Sequence, residues 1–366
     1  MKLISSRPLA PPARKTEDRV AGYRELGSDG GPWIEGYLAT ASRSIPRIAT
    51  RLGNRDRLGA LKVRLGVGRD RYRVLPGLYA AGNPGAESPV LVSANYKLSF
   101  DALRRELGGL DLWILVIDTK GVNVWCAAGK GSFGTGELAA KIDRCRLGDI
   151  VSHRELILPQ LGAAGVSGPE LRRLSGFRAM WGPVRARDIG GFLAAGKKKS
   201  HDMSRVSFGL GDRLRLAPLE LVHAWPALLA ALVLGLLAGL PYGQAWGSRA
   251  IAVATILGGS VLAGTLVFPA LLFILPTPSF AVKGAVLGGI WAGFASWAFG
   301  LQPGLGLGLC LVSAAVVAWI GLNFTGSTTF TSPSGAAKEV ERTILPAAIG
   351  TGAGLVLAAL AIALRF

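Results

Sequence analysis

The residues best suited to chemistry lie in the run Thr119-Lys120-Gly121-Val122-Asn123-Val124-Trp125-Cys126-Ala127-Ala128-Gly129-Lys130-Gly131. Cys126 follows a buried-looking apolar strand and precedes a helical pattern, with Lys130 close by in sequence. A thiol beside a cation or at a helix start has a lowered pKa, and the thiolate is both the nucleophile and the metal ligand. The small residues after it leave room for a large flat ligand against the backbone. Two readings stay open from the residues alone: a reactive or ligating thiol, and a buried structural one. Within the same run, Gly129-Lys130-Gly131-Ser132-Phe133-Gly134 matches the dinucleotide fingerprint Gly-x-Gly-x-x-Gly. That match is weak, because Lys120-Gly121 interrupts the strand and Asp149 does not clearly end a second one.

Alternating elements must position this run. Val90 to Val92, Leu112 to Ile117, Glu155 to Leu158 and Ala179 to Val184 read as strands. Phe100 to Leu107, Gly136 to Arg146, Pro169 to Leu174 and Ile189 to Ala195 read as helices. The alternation predicts a doubly wound, Rossmann-like α/β domain with a parallel sheet, whose ligands bind outside the carboxyl ends of the strands. The loops to inspect are Ser93 to Lys97, Asp118 to Gly136, Pro159 to Gly165 and Trp181 to Arg187. Upstream, Leu61 to Leu65 and Arg71 to Leu75 read as a hairpin. Arg43, Arg47, Arg51 and Arg55 recur at the spacing of one helical face. That face is solvated or drawn to anionic lipid; nucleic acid is a weaker reading, since no aromatic platform accompanies the charge.

The chain has 366 residues, a net charge of +18 and a hydrophobic content of 50%. Only five of its 41 basic and three of its 23 acidic residues lie after position 216. The order implied is a flexible tail (1–35), a cytoplasmic α/β domain (36–205), a linker (206–216) and a transmembrane domain (217–366). The first 29 residues lack the apolar core of a secretory signal, which places the first half in the cytoplasm. Five apolar spans of about the required length follow: Pro218 to Leu240, Arg249 to Leu275, Phe280 to Leu301, Leu305 to Leu322 and Ile344 to Leu364, the last two separated by a polar loop from Asn323 to Thr343. Lys283, Lys338 and Arg342 fall on the inner side, in keeping with the positive-inside rule. Gly pairs four apart, at 235 and 239, 284 and 288, 289 and 293, and 350 and 354, predict a packed all-α bundle. A conduit is disfavoured because no ionisable residue sits mid-span. The three cysteines, Cys126, Cys145 and Cys310, are too scattered for a disulfide framework, a zinc site or an iron–sulfur centre. Any electrons must come from a partner.

The eight residues Asn123-Val124-Trp125-Cys126-Ala127-Ala128-Gly129-Lys130 resemble, at every position, the signature of the mercury-methylating corrinoid (HgcA) family. The wider order, an α/β domain related to the corrinoid domain of the corrinoid iron–sulfur proteins followed by about five spans, resembles it too. The resemblance implies a corrinoid cofactor (cobalamin, with cobalt) whose lower axial ligand is Cys126. It implies that Asn123, Trp125 and Lys130 cap the corrinoid's lower face, with Thr119, Val124, Ala127, Ala128, Gly129 and Gly131 in the same binding segment. The implied activity is that of a corrinoid-dependent methyltransferase acting on Hg(II), a soft acceptor matched to sulfur-ligated cobalt. The implied partners are a ferredoxin-like protein with two four-iron, four-sulfur clusters, a methyl donor such as methyltetrahydrofolate or its methyltransferase, and membrane lipid. No nucleic acid is implied. The Asp-x-His-x-x-Gly pattern of histidine-ligated cobalamin proteins is absent, and His153, His201 and His223 stand in no such context. A corrinoid methyl carrier in one-carbon (acetyl-CoA pathway) metabolism would use the same fold and thiol, so it stands as the alternative.

Overall fold

The computed structural model describes residues 31–40, 43–275, 277–325 and 333–365. The chain parts into two compact units, Met1–Ala60 with Asp70–Arg205, and Leu61–Arg69 with Val206–Phe366.

The first unit is built on a seven-stranded sheet. Its elements are β1 (Ile34–Ala39), β2 (Ser44–Ile48), α1 (Asn54–Arg64), β3 (Gly77–Ala81), β4 (Val90–Ala94), α2 (Lys97–Arg104), β5 (Leu112–Ile117), α3 (Val124–Gly129), α4 (Thr135–Arg144), β6 (Glu155–Leu158), α5 (Gly168–Ser175), β7 (Arg178–Trp181) and α6 (Ile189–Ala194). The spatial order is β1-β2-β3-β5-β4-β6-β7. β5, β4, β6 and β7 run parallel. Strand β3 is antiparallel to β5, and β1 is antiparallel to β2. The sheet is therefore mixed, and the expectation of a purely parallel sheet holds only for its second half.

All six residues of β5 are buried, and they divide by parity between two cores. Trp113, Leu115 and Ile117 pack with Ala127, Leu138, Ile142 and Leu171 of α3, α4 and α5. Leu112, Ile114 and Val116 pack with Phe100, Leu103, Ile189 and Phe192 of α2 and α6. A strand buried on both faces shows an unbroken apolar run, which is why β5 was visible in the sequence. Because the chain passes from β5 back across β4 to β6, the crossover direction reverses between β4 and β6.

Three sequence expectations are corrected here. Residues 61–65 end helix α1, and Arg73 makes only an isolated bridge to Tyr96, so there is no hairpin. Arg47 lies in strand β2 and Arg55 in helix α1, so the four-residue arginine spacing marks no single helical face. Ile34 and Glu35, assigned to the tail, open β1; the tail up to residue 30 lies outside the described residues.

A buried ionic cluster locks α1 to α2. Lys97 Nζ lies 2.7 Å from Asp56 Oδ1 and 2.6 Å from Asp101 Oδ2. Arg104 Nε donates to Asp101 Oδ1 at 2.7 Å, and Nη1 donates to Ala49 O, past the end of β2, at 2.6 Å. Arg104 Nη2 sits 2.7 Å from Asp56 Oδ2 as an ion pair whose angle falls short of a hydrogen bond. Lys97 also lies over the Trp33 ring, 4.6 Å from its centre, and the Tyr72 ring, 5.4 Å away. Burial, reinforced by the Asp101 and Asp56 charges, pushes the Tyr72 hydroxyl up to about 12, so it stays neutral.

Of the apolar helices in the second unit, α7 (Trp225–Gly239), α8 (Trp246–Leu262), α9 (Phe280–Ala298), α10 (Pro303–Thr325) and α11 (Pro333–Leu364) are the long ones. By length and apolarity three segments suit a membrane crossing: Trp225–Leu271, Pro303–Thr325 and Ser334–Leu364. The first is not one rod, because Gly243 at φ 55° and ψ −117° separates α7 from α8. Pro269, which has no N–H to donate, follows a π-helical turn at Ala263–Val267. Helix α11 starts at Pro333, so part of the expected polar loop is helical; residues 326–332 lie outside the described residues. Small residues do bring helices together. A Cβ built on Gly235 would stand 2.7 Å from Ala250 O, and one on Gly284 2.5 Å from Val317 O. By contrast, Gly289 meets nothing within 4 Å.

Removing one member of the buried ionic cluster leaves an uncompensated charge, so Asp101→Ala is expected to cost about 3–5 kcal/mol. Pulse proteolysis of the solubilised chain in urea measures this. Burial alone would push the Asp56 carboxyl up, but the hydrogen bond from Lys97, the adjacent Arg104 guanidinium and the hydrogen bond from the Gly53 N–H outweigh it and hold it below its ordinary 3.8. The stabilisation from Asp56 is therefore complete above pH 3.8 and is lost as the pH falls below it. Asp56→Asn should flatten that acid limb.

Candidate functional site

The segment after β5 makes a tight turn before α3. Lys120 at φ 58° and Gly121 at φ 75° are both left-handed. Such a turn needs fixed partners, and Asn95, at 1% exposure just past the end of β4, supplies them. Its Oδ1 accepts from Thr119 N at 3.1 Å and Gly121 N at 3.0 Å, and its Nδ2 donates to Asp118 Oδ1 at 2.9 Å. The Thr119 hydroxyl lies 2.8 Å from the same Oδ1 and 2.7 Å from Val122 O. Asp118 Oδ1 also accepts from Lys120 N at 2.9 Å.

Asn123 then caps α3: its Oδ1 accepts from Cys126 N at 2.9 Å, while its Nδ2 is 3.5 Å from Cys126 Sγ. The helix was read in sequence as loop, because one and a half turns are too short to show a period. Cys126 is half-buried and Trp125 is 37% exposed. Ala127 and Ala128 pass into the core beneath, and Phe133 N bonds back to Ala127 O at 3.1 Å. A Cβ on Gly165 would collide with the Phe133 carbonyl and stand 3.0 Å from Ala128 Cα, so glycine is required where the loop after β6 crosses α3.

An apolar crevice of about 410 Å³ opens at the carboxyl ends of β4 and β6, the point where the crossover direction reverses. Its walls include Ser93, Asn123, Trp125, Pro159, Leu161 and Pro183. These come from all four loops singled out in the sequence, as the rule for open α/β sheets requires. Asn123, Val124 and Trp125 line it directly. Cys126 is not among the lining residues, yet its sulfur is 3.5 Å from an amide that is. Gly129, Lys130 and Gly131 are exposed at the far end of α3, and a Cβ on either glycine would meet nothing within 4 Å. Thr119 is fully buried and holds the turn from inside. The glycine pattern from 129 to 134 is separated from β5 by α3, so it lacks the strand–turn–helix setting of a dinucleotide site. Asn95 was missed in the sequence: nothing in its neighbourhood marks an amide that will bond residues 23 to 26 positions on.

Residues 67–193 match the family described as CO dehydrogenase/acetyl-CoA synthase delta subunit. Among curated relatives, the acetyl-CoA decarbonylase/synthase complex subunit gamma of Methanocaldococcus jannaschii is 37% identical over 128 residues, covering 34% of this chain and 26% of that protein. The Methanopyrus kandleri subunit gamma is 36% identical over 128 residues, covering 34% and 27%. The corrinoid/iron-sulfur protein large subunit of Moorella thermoacetica is 30% identical over 125 residues, covering 34% and 28%. The chain thus spans about a quarter of the length of the relatives it matches. Over residues 67–193, from the turn after α1 into α6, the chain is therefore similar to a domain of the corrinoid/iron–sulfur proteins. The match ends before the apolar helices begin.

Asn95→Ala leaves two buried N–H donors of the turn without an acceptor, at about 1–3 kcal/mol each. Amide hydrogen exchange at residues 119–123 should rise at least tenfold, with the exchange of β5 unchanged. Equal protection in both proteins would show that other contacts hold the turn.

Proposed function

We propose that the crevice receives a corrinoid, that Cys126 is the lower axial ligand of its cobalt, and that the chain is a methyltransferase whose acceptor is Hg(II). The observation that carries this is the half-buried thiol on an Asn123-capped turn, 3.5 Å from a crevice-lining amide at the sheet's switch point. The eight residues from Asn123 to Lys130 resemble the mercury-methylating signature at every position. The segment offers one soft donor, which suits a metal that arrives with its equatorial ligands already in place. The exposed backbone at Gly129 and Gly131 leaves room for a macrocycle.

When bound, the corrinoid supplies the methyl group that is transferred with its electron pair to the soft metal acceptor. The protein's part is to hold and orient. Asn123 fixes both the backbone N–H and the sulfur of Cys126, Trp125 walls the crevice against water, and Asn95 fixes the turn on which both stand. Cys145 is fully buried in the core and Cys310 lies in α10, so neither can join Cys126 in a cluster. The electrons needed between turnovers therefore come from a separate ferredoxin-like protein with two four-iron clusters, and the methyl group from a methyltetrahydrofolate-type donor or its methyltransferase. The C-terminal helices anchor the chain in the cytoplasmic membrane as about five spans, with the α/β unit inside.

A second reading has its own support. The relatives are named as subunits of an acetyl-CoA decarbonylase/synthase complex and as a corrinoid/iron-sulfur protein. A carrier that passes methyl to another protein in one-carbon metabolism would keep the crevice and Cys126.

The purified chain should carry stoichiometric cobalt with a corrin absorption band, and its absence after reconstitution with cobalamin would refute the cofactor. Cys126→Ala should abolish methylmercury formation in cells supplying the ferredoxin partner, at wild-type membrane levels. Cys145→Ala and Cys310→Ala should remain active, which separates ligation from general thiol capture of mercury. A cobalt-loaded protein that never methylates added Hg(II) would favour the carrier. For topology, reporters fused after Leu240 and Leu301 should read as external and one at Ser279 as cytoplasmic; the reverse pattern would overturn the orientation.

A further inference from the structure

The second unit holds a cleft of about 740 Å³ between α9, α10 and α11. The residues that α11 gives to it include Lys338, Arg342, Pro346 and Gly350, spaced four apart on one helical face. The face is divided along its length. Its first turns carry two cations, and beyond Thr343 it is apolar and small. The opposite walls, including Ala281, Ala285, Ala314 and Ala318, are also small and apolar.

Of the two acidic residues between the cations, Glu341 is exposed and does not line the cleft, and Glu339, which does, is already occupied. Glu339 Oε1 accepts from Ser279 Oγ at 2.6 Å and from Ala281 N at 2.9 Å, at the start of α9. Neither Lys338 nor Arg342 has a hydrogen-bond or ion-pair partner among the described residues. Helix α11 is also the least covered of the apolar segments: 17% of its most apolar window is buried, against 67% for α10. A groove with two unpaired cations at its polar end and a narrow apolar floor beyond them has the order of charge of a single anionic phospholipid.

We infer that this cleft binds one anionic glycerophospholipid, its phosphate and headgroup between Lys338 and Arg342 and one acyl chain along Ala314, Ala318 and Ala347. The inference rests on reading the C-terminal helices as membrane-spanning. Charge complementarity selects an anionic over a zwitterionic lipid, since the one carboxylate that lines the cleft beside the cations is spent on the α9 cap and Glu341 lies outside the cleft lining. The smallness of the floor residues selects a chain lying in the groove over a helix from a second copy.

The test uses the full chain in mild detergent, titrated with phosphatidylglycerol or phosphatidylcholine of identical acyl chains and read by native mass spectrometry. One phosphatidylglycerol should be retained in preference to phosphatidylcholine. Lys338→Gln or Arg342→Gln should weaken its retention about five-fold each and the double variant about thirty-fold, leaving phosphatidylcholine unchanged. Ala314→Phe, which fills the floor without touching charge, should weaken both lipids. Equal retention of the two lipids, an unaltered double variant, or a lipid-free dimer that protects α11 from proteolysis would each overturn the proposal. Release of the chain from membranes by carbonate without detergent would instead overturn the membrane reading itself.

Discussion

One buried amide sets the geometry of the candidate site. Asn95 stands at the end of the parallel strand β4, and every polar atom of its side chain amide that is assigned a contact is turned toward the neighbouring β5 turn. The turn passes through two left-handed residues in succession, a backbone path that a lysine at the first of them does not favour. With two backbone N–H groups and a hydroxyl gathered on Asn95 Oδ1, the path is over-determined, and Asn123 is delivered in register to cap α3. The position of the Cys126 sulfur thus follows from a contact made between two adjacent strands. It does not depend on the short helix being stable by itself, which six residues could not provide.

Legibility in the sequence tracked how local the determining forces are. β5 was readable to the residue, because a strand buried on both faces is an uninterrupted apolar run, and β6 from the three buried apolar residues that follow Glu155. β3, Gly-Leu-Tyr-Ala-Ala, was not seen, since Gly and Ala carry no strand preference; it is a strand because β5 bonds it along its whole length. Residues 61–65 looked like alternating strand, but the first four of them complete a helix begun seven residues earlier. The arginine spacing failed for a related reason, because a period of four shared by a strand and a helix says nothing of either. In the site, Cys126 and its neighbours were legible as residues, whereas the Asn95 network was not. A side chain whose partners lie more than twenty residues away leaves no periodic trace.

In the C-terminal half, apolarity was legible and continuity was not. A hydropathy run cannot tell a turn inside a long apolar stretch from a bend in one helix. The division between α7 and α8 rests on Gly243 adopting a conformation closed to residues with a Cβ. The π-helical turn before Pro269 shows the complementary case: a residue type that ordinarily breaks a helix is absorbed by local rewinding. Close approach between helices follows small residues only where a backbone lies opposite. That is why Gly284 and Gly288 are pressed against α10 while Gly289, in the same motif family, faces open space.

The three thiols show how environment assigns chemistry to identical groups. Cys145 closes α4 within the hydrophobic core at 0% exposure, where a sulfur behaves as a small apolar side chain. Cys310 is half-buried in α10, with Gly289 O at 3.9 Å, and among the described residues it belongs to no group that could hold a metal. Cys126 alone combines access with constraint: its N–H is capped, its sulfur touches an oriented amide, and the backbone after it is open enough for a broad ligand to approach. The fixed turn, the Asn123 cap and the glycine crossing at Gly165 together hold the Cys126 sulfur in place, 3.5 Å from an amide that lines the crevice.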